Sequence, residues 1–301
     1  MINQGPKRTF ICECINFAVL TEDTVSLEFD WLGPAPMPGQ FFLIKPSRSS
    51  VFLARPFCVA GWIPRKNTVF KGTEDRRKNI DKRTSVSENA EGNTRHHDSE
   101  RRINTGGIMK FFITRRGKGS TELSEMRAGE KAELSGPLGN YWPLEQIPKG
   151  AVALVGGGVG IAPLLPLSSE IKKRPFDFFA GFKARPFGLE GLKNHSAGVP
   201  RSLIIATENG SEGVKGRILD FFSPMGYSGV FACGPEPMLQ EVADRSVACG
   251  IPCFVSTERH MACGVGACLG CKIRTTGGSR RCCADGPIFS GEEICFESKR
   301  T

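Results

Sequence analysis

The chain has 301 residues, 40% hydrophobic and 24% charged, with 12 cysteines and a formal net charge of +9; this suits a globular chain of two domains or three small ones. No apolar run approaches the ~18 residues that a membrane crossing needs, and Met1–Phe10 has no signal-sequence pattern, so the expected compartment is the cytoplasm, where many cysteines point to metal or redox work rather than disulfides. Of the net charge, Arg65–Arg102 holds 11 Lys/Arg against 7 Asp/Glu, a local +4; the rest is spread out, so no compact basic face is expected and nucleic acid is not an expected partner.

From Thr9 to Leu144 short apolar stretches alternate with turn residues. Strands are expected at Phe10–Leu20, Thr24–Phe29, Gln40–Lys45, Phe52–Ala60, Lys110–Thr114 and Lys131–Ser135. Pro34, Pro36, Pro38, Gly39, Gly117, Gly119, Gly129, Gly136 and Gly139 punctuate them. Short strands without long amphipathic helices predict a small antiparallel β-barrel over residues 1–146. Residues of about 65–105 break the pattern. Between Gly72 and Glu100 the only aliphatic residues are Ile80, Val86 and Ala90, too few to offset the entropy of ordering, so a disordered insertion between two strands is expected. Its His96-His97 pair reads as solvated rather than metal-binding.

From Ala151 the rhythm changes. Ala151–Val155 is a continuous apolar run, followed by Gly156-Gly157-Gly158-Val159-Gly160 and an expected helix over Ile161–Lys172. Phe176–Ala180, Leu203–Thr207, Gly229–Cys233 and Pro252–Val255 read as further buried strands, with helices at Ile218–Phe222 and Glu236–Ala248. That alternation predicts an α/β domain with a parallel sheet over residues 147–256. Residues 257–301 read as a third, loop-rich unit.

The chemistry sits at the ends of these elements. A glycine run between strand and helix lets a pyrophosphate approach the backbone, although G-G-G-V-G-I-A-P departs from the usual dinucleotide fingerprint and also suits a plain tight turn. An acid is expected at the end of the second strand, but Phe182-Lys183-Ala184-Arg185 stands there, so the sequence does not separate NAD from NADP. Cys233-Gly234-Pro235-Glu236-Pro237-Met238 is another loop at a strand's carboxyl end, where open parallel sheets bind ligands. In the barrel region, Arg55-Pro56-Phe57-Cys58 offers a guanidinium for a phosphate, and Gly117-Lys118-Gly119-Ser120-Thr121 a glycine-rich loop with hydroxyls; each taken alone also suits an exposed arginine or a simple turn.

The most specific pattern is Cys263-Gly264-Val265-Gly266-Ala267-Cys268-Leu269-Gly270-Cys271, then Cys282 and Cys283. C-x4-C-x2-C with a later cysteine is the plant-type spacing for a [2Fe–2S] cluster, and glycines let one short loop wrap three thiolates. A structural zinc site prefers two C-x2–4-C pairs, of which only Cys268/Cys271 is one. Spacing leaves Cys282 and Cys283 equally open as the fourth ligand. Arg259, Lys272, Arg274, Arg280 and Arg281 flank the cysteines, where cations would stabilise a reduced cluster or form a solvated rim.

Together these stretches, with Gly136-Pro137-Leu138-Gly139-Asn140, Thr207–Gly216 and Asp285-Gly286-Pro287, resemble the ferredoxin-reductase-like flavoproteins, and among them the electron-transfer subunits of dihydroorotate dehydrogenase B. The resemblance covers nearly the whole chain except the insertion. It implies FAD on the barrel, held by Arg55, Pro56, Phe57 and Cys58, with Ile113, Thr114, Arg115, Gly119 and Ser120 as the second wall. It implies NAD(H) at Gly157, Gly158, Gly160, Thr207, Cys233, Gly234, Pro235 and Met238. It implies a [2Fe–2S] cluster on Cys263, Cys268, Cys271 and Cys283, the last because the family's fourth ligand lies two residues before Asp-Gly-Pro. The implied partner is an FMN-containing dihydroorotate dehydrogenase catalytic subunit, in a heterotetramer, with this chain passing electrons between NADH and that subunit. A ferredoxin, hydrogenase or sulfide dehydrogenase complex is the alternative destination. Cys58 departs from the family's usual serine, and the insertion is not typical of the family.

Overall fold

The computed structural model describes residues 8–65, 105–171, 174–193 and 198–296. The insertion expected at about 65–105 and its histidine pair therefore lie outside the described residues, apart from its two flanking positions.

β1 (Thr9–Val19), β2 (Thr24–Pro34), β3 (Phe41–Pro46), β4 (Arg55–Pro64), β5 (Thr105–Thr114) and β6 (Lys131–Leu138) close a barrel in the order β1-β2-β5-β4-β3-β6. The first strand alternates in burial, with Cys12 and Cys14 inward and Ile11 and Glu13 outward, as a period of two requires. Edge-to-face rings fill the interior: Trp31 and Phe42 lie 4.9 Å apart, Phe42 and Phe111 5.8 Å. α1 (Lys118–Ser124) links the fifth strand to the sixth.

Four barrel strands differ from expectation: β5 starts at Thr105 rather than Lys110 and β6 runs on to Leu138, and the other two have a side-chain cause. The second runs on past Phe29 to Pro34 because the Trp31 indole turns back to donate to Pro34 O at 2.8 Å. The fourth begins only at Arg55, leaving Phe52 91% exposed; the preceding loop is held instead by Ser49 and Ser50 bonding to Glu122. The stretch expected as a glycine loop at 117–121 is the start of α1.

The second sheet has seven strands. β7 (Val152–Gly157), α2 (Leu164–Glu170), β8 (Phe176–Phe182), α3 (Glu190–Lys193), β9 (Ser202–Thr207), β10 (Val214–Lys215), β11 (Gly229–Cys233), α4 (Glu236–Ala248) and β12 (Cys253–Ser256) follow in sequence. The sheet order is β10-β9-β8-β7-β11-β12, all parallel, with a seventh strand, Ile288–Ser290, outside β12. The long helix expected from Ile161 is instead a 3-10 turn at Gly158–Ile161 and then α2, which starts after Pro163, where the missing N–H costs nothing. The helix expected at Ile218–Phe222 is one 3-10 turn, Ile218–Asp220.

The last stretch holds a hairpin, β13 (Lys272–Thr275) with β14 (Gly278–Arg281), then α5 (Cys282–Asp285) and β15 (Ile288–Ser290). The last strand joins the second sheet: it runs antiparallel to β12, Val255 opposite Phe289.

Candidate functional site

The barrel wall parts at one place. β4 pairs with β3 through Arg55–Cys58, but with β5 only from Val59, which faces Phe111. The Arg55 guanidinium lies against α1: a Cβ on Gly119 would stand 3.0 Å from its Nε, so a side chain there would crowd it. Ser120 accepts from Arg116 N and Gly117 N at 2.8 and 3.1 Å, fixing that turn. Arg115 donates to Ser124 Oγ at 2.9 Å, and Thr114 pairs with Thr24 through their hydroxyls. Pro56, Phe57 and Cys58 are half-buried on the open stretch. Ile113 is buried in the barrel core and supplies packing rather than a wall of the opening.

Two loops meet at the carboxyl ends of β7 and β11. A Cβ on Gly160 would lie 2.3 Å from Cys233 O, and one on Gly157 2.8 Å from Met238 Sδ and 2.9 Å from Pro235 Cδ. Gly158 adopts φ +56°, left-handed and favourable to glycine, and nothing stands within 4 Å of its Cβ position. Gly157, Gly158, Gly160, Gly234, Pro235 and Met238 are thus brought together. Thr207 is not among them: it is fully buried, and its hydroxyl bonds Glu212 O at 2.8 Å to hold the 207–216 loop.

Between barrel and sheet lies a cavity of ≈ 1230 Å³. Thr114 and Arg116 bound it on the barrel side, and the two glycine loops on the sheet side. Lys183, Arg185, Glu208 and Arg217 line it too, and so do Glu258 and Arg259 from the start of the last stretch. Glu258 is exposed on the cavity side; the protein around it raises its carboxyl pKa by desolvation, which Arg116 opposes. Burial pushes the Cys58 thiol up to about 12, helped by Glu258 and Cys282. Burial likewise raises Cys233, with Cys58 and Glu258 adding to it. The barrel side, the second glycine loop and the last stretch thus border one cavity. Glu208 and Glu258 escaped the sequence reading, although both follow the carboxyl end of a parallel strand, which was the available signal.

The cysteine loop packs on the barrel: a Cβ on Gly264 would lie 2.6 Å from Leu43 and 3.2 Å from Leu138. Two loops singled out separately in the sequence also meet, since Asn140 donates to Ile288 O at 2.7 Å and accepts from Ile288 N at 3.0 Å. Backbone N–H groups point at the sulfurs. Val265 N and Cys268 N reach Cys263 Sγ at 3.5 and 3.4 Å, Gly266 N reaches Cys283 Sγ at 3.1 Å, and Cys283 N reaches Cys271 Sγ at 3.5 Å. Burial pushes the Cys263 thiol up, but the N–H groups of Cys268 and Val265 and the Cys268 side chain outweigh it, bringing it down to about 6. Cys283 interacts with the thiol of Cys271. By these amide contacts the four cysteines associate in two pairs, Cys263 with Cys268 and Cys271 with Cys283. Cys282 turns away, with Thr257 Oγ1 and O at 3.5 and 3.4 Å. Among the described residues no three His, Cys, Asp or Glu side chains converge on a single-ion site. Two thiolate pairs with amide donors fit a two-iron, two-sulfide group, which takes one pair per iron.

Residues 258–295 match the family described as the iron-sulfur cluster binding domain of dihydroorotate dehydrogenase B. Among solved structures, the NADH-dependent reduced ferredoxin-NADP oxidoreductase is similar over 95% of this chain and 90% of its own, with a TM-score of 0.66 and 22% identity. The ferredoxin reductase of carbazole 1,9a-dioxygenase covers 82% of this chain and 67% of its own, at a TM-score of 0.58 and 18% identity. The fold is thus that of the ferredoxin-reductase-like proteins, with an iron–sulfur segment at its end. Two relatives are dihydroorotate dehydrogenase B (NAD(+)) electron transfer subunits. That of Caldanaerobacter subterraneus subsp. tengcongensis is 32% identical over 92% of this chain and 94% of its own. That of Clostridium acetobutylicum is 39% identical over 62% of this chain and 74% of its own. The chain belongs to the family of dihydroorotate dehydrogenase B electron-transfer subunits. Among the described residues no helix is long and apolar enough to cross a membrane.

Proposed function

We propose that the chain carries electrons between NADH and a catalytic dihydroorotate dehydrogenase subunit that holds FMN, in a heterotetramer, through its own FAD and [2Fe–2S] cluster. When bound, FAD accepts the two electrons of a hydride and the cluster passes them on singly. The observation that carries this reading is the position of β3. One edge pairs with Arg55–Cys58, and its Leu43 packs under Gly264 of the cysteine loop, so a single strand would hold the flavin and cluster sites side by side.

The chain's own residues then have definite tasks. Arg55, set against Gly119, presents a planar fork to a phosphate of FAD. Pro56, Phe57, Cys58, Thr114, Arg115 and Ser120 border the same opening, and Ile113 backs it from the core. Cys58 keeps its proton at neutral pH, given its raised pKa, and offers only a weak S–H donor. Gly157, Gly158, Gly160 and Gly234 let a dinucleotide backbone approach, Pro235 and Met238 shape the facing loop, Cys233 closes its base, and Thr207 holds the neighbouring loop. Cys263 and Cys268 would take one iron, Cys271 and Cys283 the other. The three functional units are residues 1–146, 147–256 and 257–301.

Anaerobic purification should give a brown-yellow protein with flavin bands, iron and acid-labile sulfide. Cys268→Ala should lose the iron but keep flavin and NADH-to-dye activity. Loss of dye reduction with flavin still bound would overturn the order of electron flow. A co-purifying partner that oxidises dihydroorotate supports the assignment, and one rich in further clusters defeats it.

A further inference from the structure

Of the five cations that flank the cysteines, the structure places Arg259, Arg280 and Arg281 differently. Arg259 turns to the cavity side, where Glu236 holds it at 3.1 Å. Arg280 leans over the hairpin turn, 4.0 Å from the Cβ position of Gly277. Arg281 lies on the cysteine loop: a Cβ on Gly266 would stand 3.1 Å from its Nη1, and the N–H of that same glycine points at Cys283 Sγ. The guanidinium is fixed by a two-point grip, Nε to Asp285 Oδ2 at 3.0 Å and Nη2 to Asp285 Oδ1 at 2.9 Å. The same carboxylate takes the Arg281 backbone N–H at 2.8 Å. A long, rotamer-rich cation is thereby immobilised beside one thiolate pair, and a bidentate fork holds it better than a single contact would.

Resting on the cluster reading above, we propose that Arg281 and Asp285 form a charge pair that sets the reduction potential of the cluster from the Cys271–Cys283 end, Arg281 as the cation facing the loop and Asp285 as the anion that positions and partly cancels it. Reduction adds one negative charge to an already anionic centre. A fixed cation nearby favours the reduced form, and a fixed anion opposes it. Each partner therefore acts on the potential with its own sign, which a pair that merely braces the loop would not do.

The test is an EPR-monitored redox titration of the anaerobically purified full chain, with iron, acid-labile sulfide and flavin measured on every preparation. Arg281→Gln leaves the carboxylate alone and should lower the cluster potential. Asp285→Asn keeps an acceptor for the backbone N–H but frees the cation, and should raise it. Arg281→Lys keeps the charge and should stay nearer the parent value than Arg281→Gln. Shifts of Arg281→Gln and Asp285→Asn in the same direction, no shift in either, or a lysine variant that falls as far as the glutamine one, each overturn the proposal. Should Arg281→Gln fail to hold iron, a raised potential in Asp285→Asn with an unshifted lysine variant supports the pair, and any other result for those two defeats it. A parent protein without iron and sulfide would instead sink the cluster reading itself.

Discussion

Gly160→Ala tests the assignment of the two glycine loops most directly. The added Cβ would lie 2.3 Å from Cys233 O, 2.5 Å from the Cys233 carbonyl carbon and 2.7 Å from Gly234 Cα, whereas ordinary contact begins at 3.4 Å. The loops must part by about 1 Å, and no side chain can rotate to absorb it because all three atoms are backbone. Cys233 ends β11, which is hydrogen-bonded on both sides, to β7 and to β12, so the first glycine loop has to give. Overpacking of this kind costs about 1–3 kcal/mol, and a misplacement of ~1 Å at a binding loop can cost ~100-fold in rate. Flavin reduction by NADH, followed by anaerobic stopped flow over a range of NADH concentrations, should show weaker NADH binding by about tenfold or more. Flavin and iron content should stay at parent levels, and the melting temperature should fall by a few degrees. Unchanged NADH kinetics at an unchanged melting temperature would refute the close approach of these loops. Lost flavin with intact NADH binding would show that the two sites are exchanged.

Asn140→Ala removes two hydrogen bonds to Ile288 and leaves that buried amide without its acceptor; urea unfolding should show a loss of about 2–4 kcal/mol, and a loss below ~1 kcal/mol would mean the contact does not hold the last stretch to the barrel. Cys283→Ala should abolish iron binding while Cys282→Ala, whose thiol faces Thr257, keeps it; iron retained by the Cys283 variant reverses the ligand assignment. Burial would raise the Asp177 carboxyl, but Arg201 and Tyr227 outweigh it and hold it below the usual range. Its folded pKa being depressed, the stability it contributes is present above the unfolded value of about 3.9 and is lost as pH falls through the folded value. Asp177→Asn should therefore flatten the acid limb of stability, read from urea midpoints between about pH 6 and about pH 3; parallel curves for parent and variant would sink that account.

The barrel was legible because each of its strands carries its own alternation and its own turn residues. What blurred the boundaries was side-chain chemistry acting across the ladder. The Trp31 indole extends β2, and the grip of Glu122 on Ser49 and Ser50 delays β4, and neither contact follows from spacing along the chain. The parallel strands were legible from unbroken apolar runs, and Gly229–Cys233 and Glu236–Ala248 match to the residue. The helix expected after Gly160 is broken near Pro163, a break that the apolar period around it masks. Within the site, cysteines and glycines advertise themselves by rarity and spacing. Glu258 does not, because a single glutamate on a loop acquires meaning only when barrel and sheet come together around the cavity it lines.

The last stretch is also a strap rather than a bead on a linker. Within eight residues, Cys283 to Ser290, the chain supplies a sulfur facing the cysteine loop, offers Asp285 O and Ile288 to Asn140, and lays β15 against β12. Ile288 reaches further still: a Cβ on Gly39 of the barrel would lie 2.5 Å from its Cδ1. A tethered domain would sample many separations from the barrel, with loop-closure entropy spreading them. Here the four sulfurs, the open stretch of β4 and the carboxyl ends of the second sheet are referenced to one another through backbone hydrogen bonds and packed side chains. One-electron transfer depends steeply on separation, so a fold that fixes it has no need of a moving part between flavin and cluster.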